Sequence, residues 1–191
     1  MKKYVNIVLN NVDISPGRSR VAAILFATEP KVSFGFDKSN EILQLNHTNF
    51  PASIRKLPYL GGPTFLSRAL TFAAGFLYHE QNMRDGKHRK HKLMPTPKHD
   101  RLQVMIVVSD GYSEDNFTNA AALLHEKLHV KIAAMVCRSY NKEKLLPITR
   151  FEGAIFVRED TEALSIWLWR QQASDDGNFV DGVFFFKFPV E

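Results

Sequence analysis

Two short stretches hold the side chains best placed to do chemistry. The first is Ser109-Asp110-Gly111, which ends the apolar run at 102–108 and precedes Ser113, Glu114, Asp115 and Asn116. A carboxylate in a glycine-containing turn, at the carboxyl end of a buried strand and ahead of a helix, sits where open α/β sheets keep their ligands. The second is Gly61-Gly62-Pro63-Thr64, which brings a threonine hydroxyl to the start of the apolar segment 65–78. Hydroxyl and carboxylate oxygens are hard donors of the sort Mg²⁺ prefers. Taken singly, each has a plainer use: Asp110 closes a core strand in a polar turn, and Thr64 caps a helix. Asp110 beside Glu114 or Asp115 suits cation binding and helix capping equally. Two oxygens from two loops are too few for selective binding, so a third loop is needed.

Nucleophilic catalysis finds little support. No GxSxG elbow is present, and Ser109 reads as a turn hydroxyl. A metal-assisted hydrolase using the sheet-edge carboxylate is the enzymatic alternative, but it lacks a base. Neither GxGxxG nor GxxxxGK occurs, which removes dinucleotide and P-loop readings.

The elements that must position these residues alternate. Tyr4, Val5, Val8, Leu9 and Val12 recur at helical spacing. Residues 21–26 are a strand, and 32–36 alternate with a period of two, giving a hairpin that turns at Thr28-Glu29-Pro30-Lys31. Asp37, Ser39 and Asn40 can cap a short helix to Leu45, and Pro51 opens another to Leu57. Residues 65–78 are apolar around most of a helix, which predicts deep packing. Gln103 is the one polar residue of 102–108, a strand predicted to be buried on both faces. Ser113 to Asn116 then cap a helix over 118–128. Strand 130–136, helix 141–148, strand 153–157 and a helix from Asp160 or Thr161 to Gln172 follow. Five strands separated by helices predict an α/β sheet with crossover connections. Beyond them, 173–191 is an apolar C-terminal extension that needs somewhere to pack or a partner to cover it.

At 191 residues and 45% hydrophobic, the chain suits one domain. Its formal charge of +5 is mostly local. Residues 79–101 carry seven Lys or Arg against Glu80, Asp85 and Asp100, and read as an exposed basic loop insert. One loop without stacking aromatics argues against a nucleic-acid binder. His88 and His91 lack the carboxylate or cysteine that would complete a metal set. The single cysteine, Cys137, excludes an internal disulfide. No run is long enough to span a membrane, and the start of the chain does not read as a secretory signal. The sequons at Asn46 and Asn116 do not locate the protein.

Gly61-Gly62-Pro63-Thr64-Phe65-Leu66-Ser67-Arg68-Ala69-Leu70 and Ser109-Asp110-Gly111-Tyr112-Ser113-Glu114-Asp115, about 45 residues apart, resemble the paired motifs of the von Willebrand factor type A domain family. The likeness covers about residues 1–172. It implies a doubly wound, mostly parallel, Rossmann-like sheet between helices. The implied function is non-enzymatic protein binding, of the adhesion or matrix-interaction kind, in an extracellular or secreted setting. A metal-independent structural interaction domain is the other non-enzymatic alternative.

The resemblance also implies a metal-ion-dependent adhesion site for Mg²⁺ or Mn²⁺, with Thr64 a ligand and Asp110 a ligand directly or through water. The family's third loop, Asp-x-Ser-x-Ser, ends its first strand. Asp13-Ile14-Ser15-Pro16-Gly17 only echoes it, lacking the second serine and following a helix. The chain is thus expected to be N-terminally incomplete relative to the family, without that strand and with a partial site that binds metal weakly or not at all. Because the family's first strand lies mid-sheet, its neighbours would need another filler, and the tail near 183–188 is one candidate. Ser109 stands where the family has threonine, and Cys137 where glycine is common.

Overall fold

A computed structural model describes residues 1–12, 14, 19–36, 54–86, 101–173 and 179–186. Six strands pair in it: β1 (Arg20–Leu25), β2 (Lys31–Phe34), β3 (Arg101–Val108), β4 (Lys131–Val136), β5 (Ile155–Val157) and β6 (Phe179–Phe186). They form one sheet in the order β2-β1-β6-β3-β4-β5. Only β2 is antiparallel to its neighbour. The helices are α1 (Lys2–Asn10), α2 (Leu66–Gly86), α3 (Thr118–Ala122), α4 (Lys142–Thr149) and α5 (Thr161–Ala173). This is the doubly wound, mostly parallel α/β fold, with helices on both faces.

Alternation along the strands explains the two layers. In β3, Met105 and Val107 face one core with Ala22, Ile24, Ile132 and Ala134, covered by Leu66, Ala69, Leu70, Ala73 and Leu77 of α2. Val104, Ile106 and Val108 face the other with Val21, Ala23 and Leu25, covered by Val5, Val8 and Leu9 of α1 and Leu164 and Trp167 of α5. Residues 104–108 are all at most 1% exposed, as a strand buried on both faces should be. The β1–β2 hairpin forms as expected, with β2 at the sheet edge and Val32 exposed.

Several expectations change. The helix read over 65–78 runs on to Gly86, so its last eight residues lie inside the stretch expected to be loop, and Arg101 already belongs to β3. A helical extension of polar sequence has no apolar period to announce it. The packing of α2 is also one-sided: Phe72 and Tyr78 are exposed while the 66/69/70/73/77 stripe is buried. Helix 118–128 is α-helical only to Ala122, then π-helical over Leu123–Lys127. The cap to Leu45, most of the Asp13-Ile14-Ser15-Pro16-Gly17 echo, and 87–100 with His88 and His91 lie outside the described residues. Of the piece from Pro51, only 54–57 are described, with Ile54 and Arg55 helical.

The largest change concerns the stretch expected as an extension. Its strand β6 lies at the centre of the sheet, parallel to β1 and β3, which have no pairing with each other. The mid-sheet slot that the resemblance leaves empty is therefore filled from the C-terminal side. Register puts Arg20 of β1, Asp181 of β6 and Gln103 of β3 opposite one another. The one polar position in the β3 run thus belongs to a polar row across the three central strands.

Candidate functional site

Thr64 and Asp110 come to the same edge of the sheet, at the carboxyl ends of β1 and β3. Three loops meet there. Phe65 donates its backbone N–H to Ala27 O at 3.2 Å, joining the loop before α2 to the end of β1. Arg68 then reaches back to Thr28 O at 3.0 Å and pairs with Glu29, tying the hairpin turn to the first turn of α2. The Asp110 loop closes from the other side, where Glu114 N donates to Thr64 O at 2.8 Å.

The start of α2 is capped from a distance. A helix leaves its first N–H groups without partners, and anionic or hydroxyl oxygens are favoured there. Ser113 Oγ accepts from Leu66 N at 2.9 Å, Asp115 Oδ1 from Ser67 N at 3.0 Å, and Asp115 Oδ2 from Arg68 N at 3.2 Å. Ser113 Oγ also donates to Asp115 Oδ1 at 2.6 Å. Thr64, expected as an N-cap candidate, instead gives its carbonyl to the neighbouring loop. Ser113 and Asp115, expected to cap the helix that follows them, cap one 47 residues upstream. Asn116 does the local work, accepting from Thr118 N at 3.0 Å.

Asp110 forms its own turn. Its Oδ1 accepts from Tyr112 N at 3.1 Å, and its carbonyl accepts from Asn141 N at 2.8 Å. Gly111 has φ +82, and a Cβ there would lie 2.8 Å from Asn141 O and 2.9 Å from Leu145 Cγ. Only glycine fits that approach without movement. Ser109 is buried and its Oγ accepts from Gly111 N at 3.2 Å, so it is the turn hydroxyl the sequence suggested. Thr64 is 6% exposed, while Tyr59 and Tyr112, one beside each loop, are about half exposed.

Burial pushes the Asp115 carboxyl up, but hydrogen bonds from Ser113, Ser67 and Arg68 outweigh it and hold the group below its ordinary value. A carboxylate that binds its proton more weakly folded than unfolded stabilises the fold above its unfolded pKa, about pH 4, and loses that contribution as pH falls through the lower folded value. Asp115→Asn should therefore cost about 1 kcal/mol at pH 7. The gap to wild type in urea midpoint should narrow as pH falls below the ordinary carboxylate range of about 4; a gap of unchanged size in acid would mean that the charge is not what matters.

Among the described residues no three His, Cys, Asp or Glu side chains lie together as metal ligands. Asp115 is committed to α2, and Asp110 spends one oxygen on its own turn.

A family model for the von Willebrand factor type A domain matches residues 1–166. The human collagen alpha-6(VI) chain is 24% identical over 164 residues, covering 86% of this chain and 6% of that protein. Mouse vitrin is 27% identical over 125 residues, 65% of this chain and 16% of vitrin, so the chain spans only a small part of either relative. Among solved structures, proximal thread matrix protein 1 from the mussel byssus, with a zinc-occupied MIDAS motif, superposes with a TM-score of 0.63 at 19% identity, over 88% of this chain and 39% of that one. An aerotolerance-related membrane protein from Bacteroides fragilis superposes at 0.58 and 11% identity, over 88% and 86%. At these identities the likeness to solved structures concerns the fold.

Proposed function

The chain belongs to the von Willebrand factor type A domain family, and on that premise we propose that it is a non-enzymatic protein-binding module of the adhesion or matrix-interaction kind, acting through the sheet edge that carries Thr64 and Asp110. The observation that carries this reading is the interlocking of the 61–65 and 109–115 loops across the start of α2. It makes a rigid platform flanked by the exposed rings of Tyr59 and Tyr112. Tyrosine anchors on a preorganised surface are the groups that dominate protein interfaces. The kinship with collagen alpha-6(VI) and vitrin supports an extracellular setting. No helix among the described residues is long and apolar enough to cross a membrane.

Metal has a reduced part in this proposal. The resemblance makes Thr64 and Asp110 ligands, but β6 occupies the slot after which the family's serine-rich loop would come. In sequence it is followed by Lys187, Phe188, Pro189, Val190 and Glu191, without aspartate or serine. Two oxygens do not meet the six-coordinate demand of Mg²⁺ or Mn²⁺. Titration calorimetry with Mg²⁺, Mn²⁺ and Zn²⁺ should accordingly show dissociation constants weaker than about 1 mM. Tight one-to-one binding that Asp110→Ala abolishes would establish a working metal site instead.

The binding function is tested on immobilised matrix proteins, with and without chelator. Saturable binding that survives chelation and falls about tenfold in the Tyr59→Ala/Tyr112→Ala variant is expected. Binding unchanged in that variant would place the contact surface elsewhere.

A further inference from the structure

A second candidate surface lies at the opposite end of the strands. A cleft of about 280 Å³ opens where β4 begins, walled by ten residues from the π-helical turn after α3, the start of β4, the end of α4 and α5. His125, His129, Lys131 and Arg150 contribute to it with Phe151 and Trp167, and none of the ten is Asp or Glu. It lies roughly 17 Å along β4 from the Asp110 edge.

Three departures from regular backbone converge on this cleft. Among the described residues, His129 (φ 53) and Arg150 (φ 67) are the two non-glycine residues in the left-handed region, and both line it. Arg150 ends α4, a position where glycine or asparagine is the low-strain choice. The chain holds a cation there at a cost in backbone strain, a pattern that marks functional positions. The π-helical turn, also characteristic of such positions, carries His125 and Glu126. Among the described residues, the buried Nε1 of Trp167 meets no acceptor.

Charge and size define the occupant. Burial, with Arg150 nearby, pushes the His125 imidazole below its ordinary value despite its hydrogen bond to Ile148 O, leaving Lys131 and Arg150 as the permanent cations. Arg150 already meets Glu126 at 3.1 Å on the rim. The remaining charge suits a carboxylate better than a phosphate dianion, and the aromatic walls suit an apolar neighbour. The cleft is at the small end of ligand-site volumes, enough for one or two side chains.

We propose that this cleft is a second protein-binding site, which accepts an aspartate or glutamate flanked by an aromatic or aliphatic side chain of a partner segment. It is independent of the Asp110 edge. The test uses the chain with Trp169→Phe, leaving Trp167 as the sole indole, and the blocked peptide Glu-Phe-Glu as probe. Saturable quenching below ~5 mM is expected, weakened about tenfold for Gln-Phe-Gln and for Lys131→Gln, and unchanged by Asp110→Ala. Arg150→Gly should weaken binding similarly while its melting temperature stays level or rises, because glycine relieves the left-handed strain. Glu126→Gln should tighten binding about threefold by releasing Arg150, which no general loss of structure would do. Absence of saturation, equal affinity for Gln-Phe-Gln, unchanged affinity in Lys131→Gln, or displacement by equimolar inorganic phosphate would each overturn the proposal.

Discussion

Gly111→Ala should destabilise the protein by about 3 kcal/mol, seen as a fall of about 1–2 M in the urea midpoint. Two costs combine. The backbone sits at φ +82, where a side chain adds roughly 1–2 kcal/mol. The new methyl group would also press on Asn141 O and Leu145 Cγ, at 2.8 and 2.9 Å, both part of the start of α4. Relief requires the Asp110 loop to back away from Asn141, breaking the 2.8 Å bond from Asn141 N to Asp110 O. The same movement would disturb Ser113 and Asp115 on α2. Gly62→Ala is the control. It shares the left-handed backbone, φ +97, but its nearest neighbour is the movable Thr28 hydroxyl at 3.1 Å, so about 1 kcal/mol is expected. Equal losses at both sites would show that the contact with Asn141 contributes nothing.

Val183→Pro should have the larger effect and abolish cooperative unfolding, or lower stability by more than about 3 kcal/mol. Val183 pairs with Ala22 of β1 and Met105 of β3, at the middle of the central strand. Proline removes a donor from a ladder that has neighbours on both sides, a position where it is otherwise not found. Without β6 the sheet falls into β2-β1 and β3-β4-β5, each with a new unpaired edge at its apolar centre. If 173–191 were an appendage beyond a domain ending at 172, the substitution would be silent. Thermal and urea unfolding of the variant separate the two outcomes, and an unchanged transition would return the extension reading.

Much of this molecule was legible because its signals are local. The 102–108 run, too apolar for a half-exposed strand, could only be buried on both faces. The turn at Ser109-Asp110-Gly111 announced itself by composition, as did the helical spacing of Val5, Val8 and Leu9. Arg20 to Leu25, Lys31 to Phe34, Lys131 to Val136 and Ile155 to Val157 all emerged near their predicted bounds. The glycine–threonine and aspartate–glycine motifs pointed to one sheet edge, where the structure brings Thr64 and Asp110.

What escaped the sequence depends on partners far away in the chain. Ser113 and Asp115 have the composition of local caps, and nothing in their neighbourhood says that the N–H groups they satisfy belong to Leu66, Ser67 and Arg68. The cleft residues His125, Lys131, Arg150 and Trp167 come from four segments, each with an ordinary polar or core use. Arg150 left a faint trace, as a charged residue at a helix end where glycine would be easier.

Local pattern determined most of the helices, strands and turns of this chain, though not β6 or the end of α2, because periodicity and turn chemistry act over a few residues. The tail near 183–188 was one candidate for the empty slot, and tertiary structure decided that β6, nearly the last stretch of sequence, stands between β1 and β3. Strand pairing is set by backbone hydrogen bonds that any apolar extended segment can offer. The slot is therefore chosen by what the rest of the sheet leaves unpaired, which no single segment encodes.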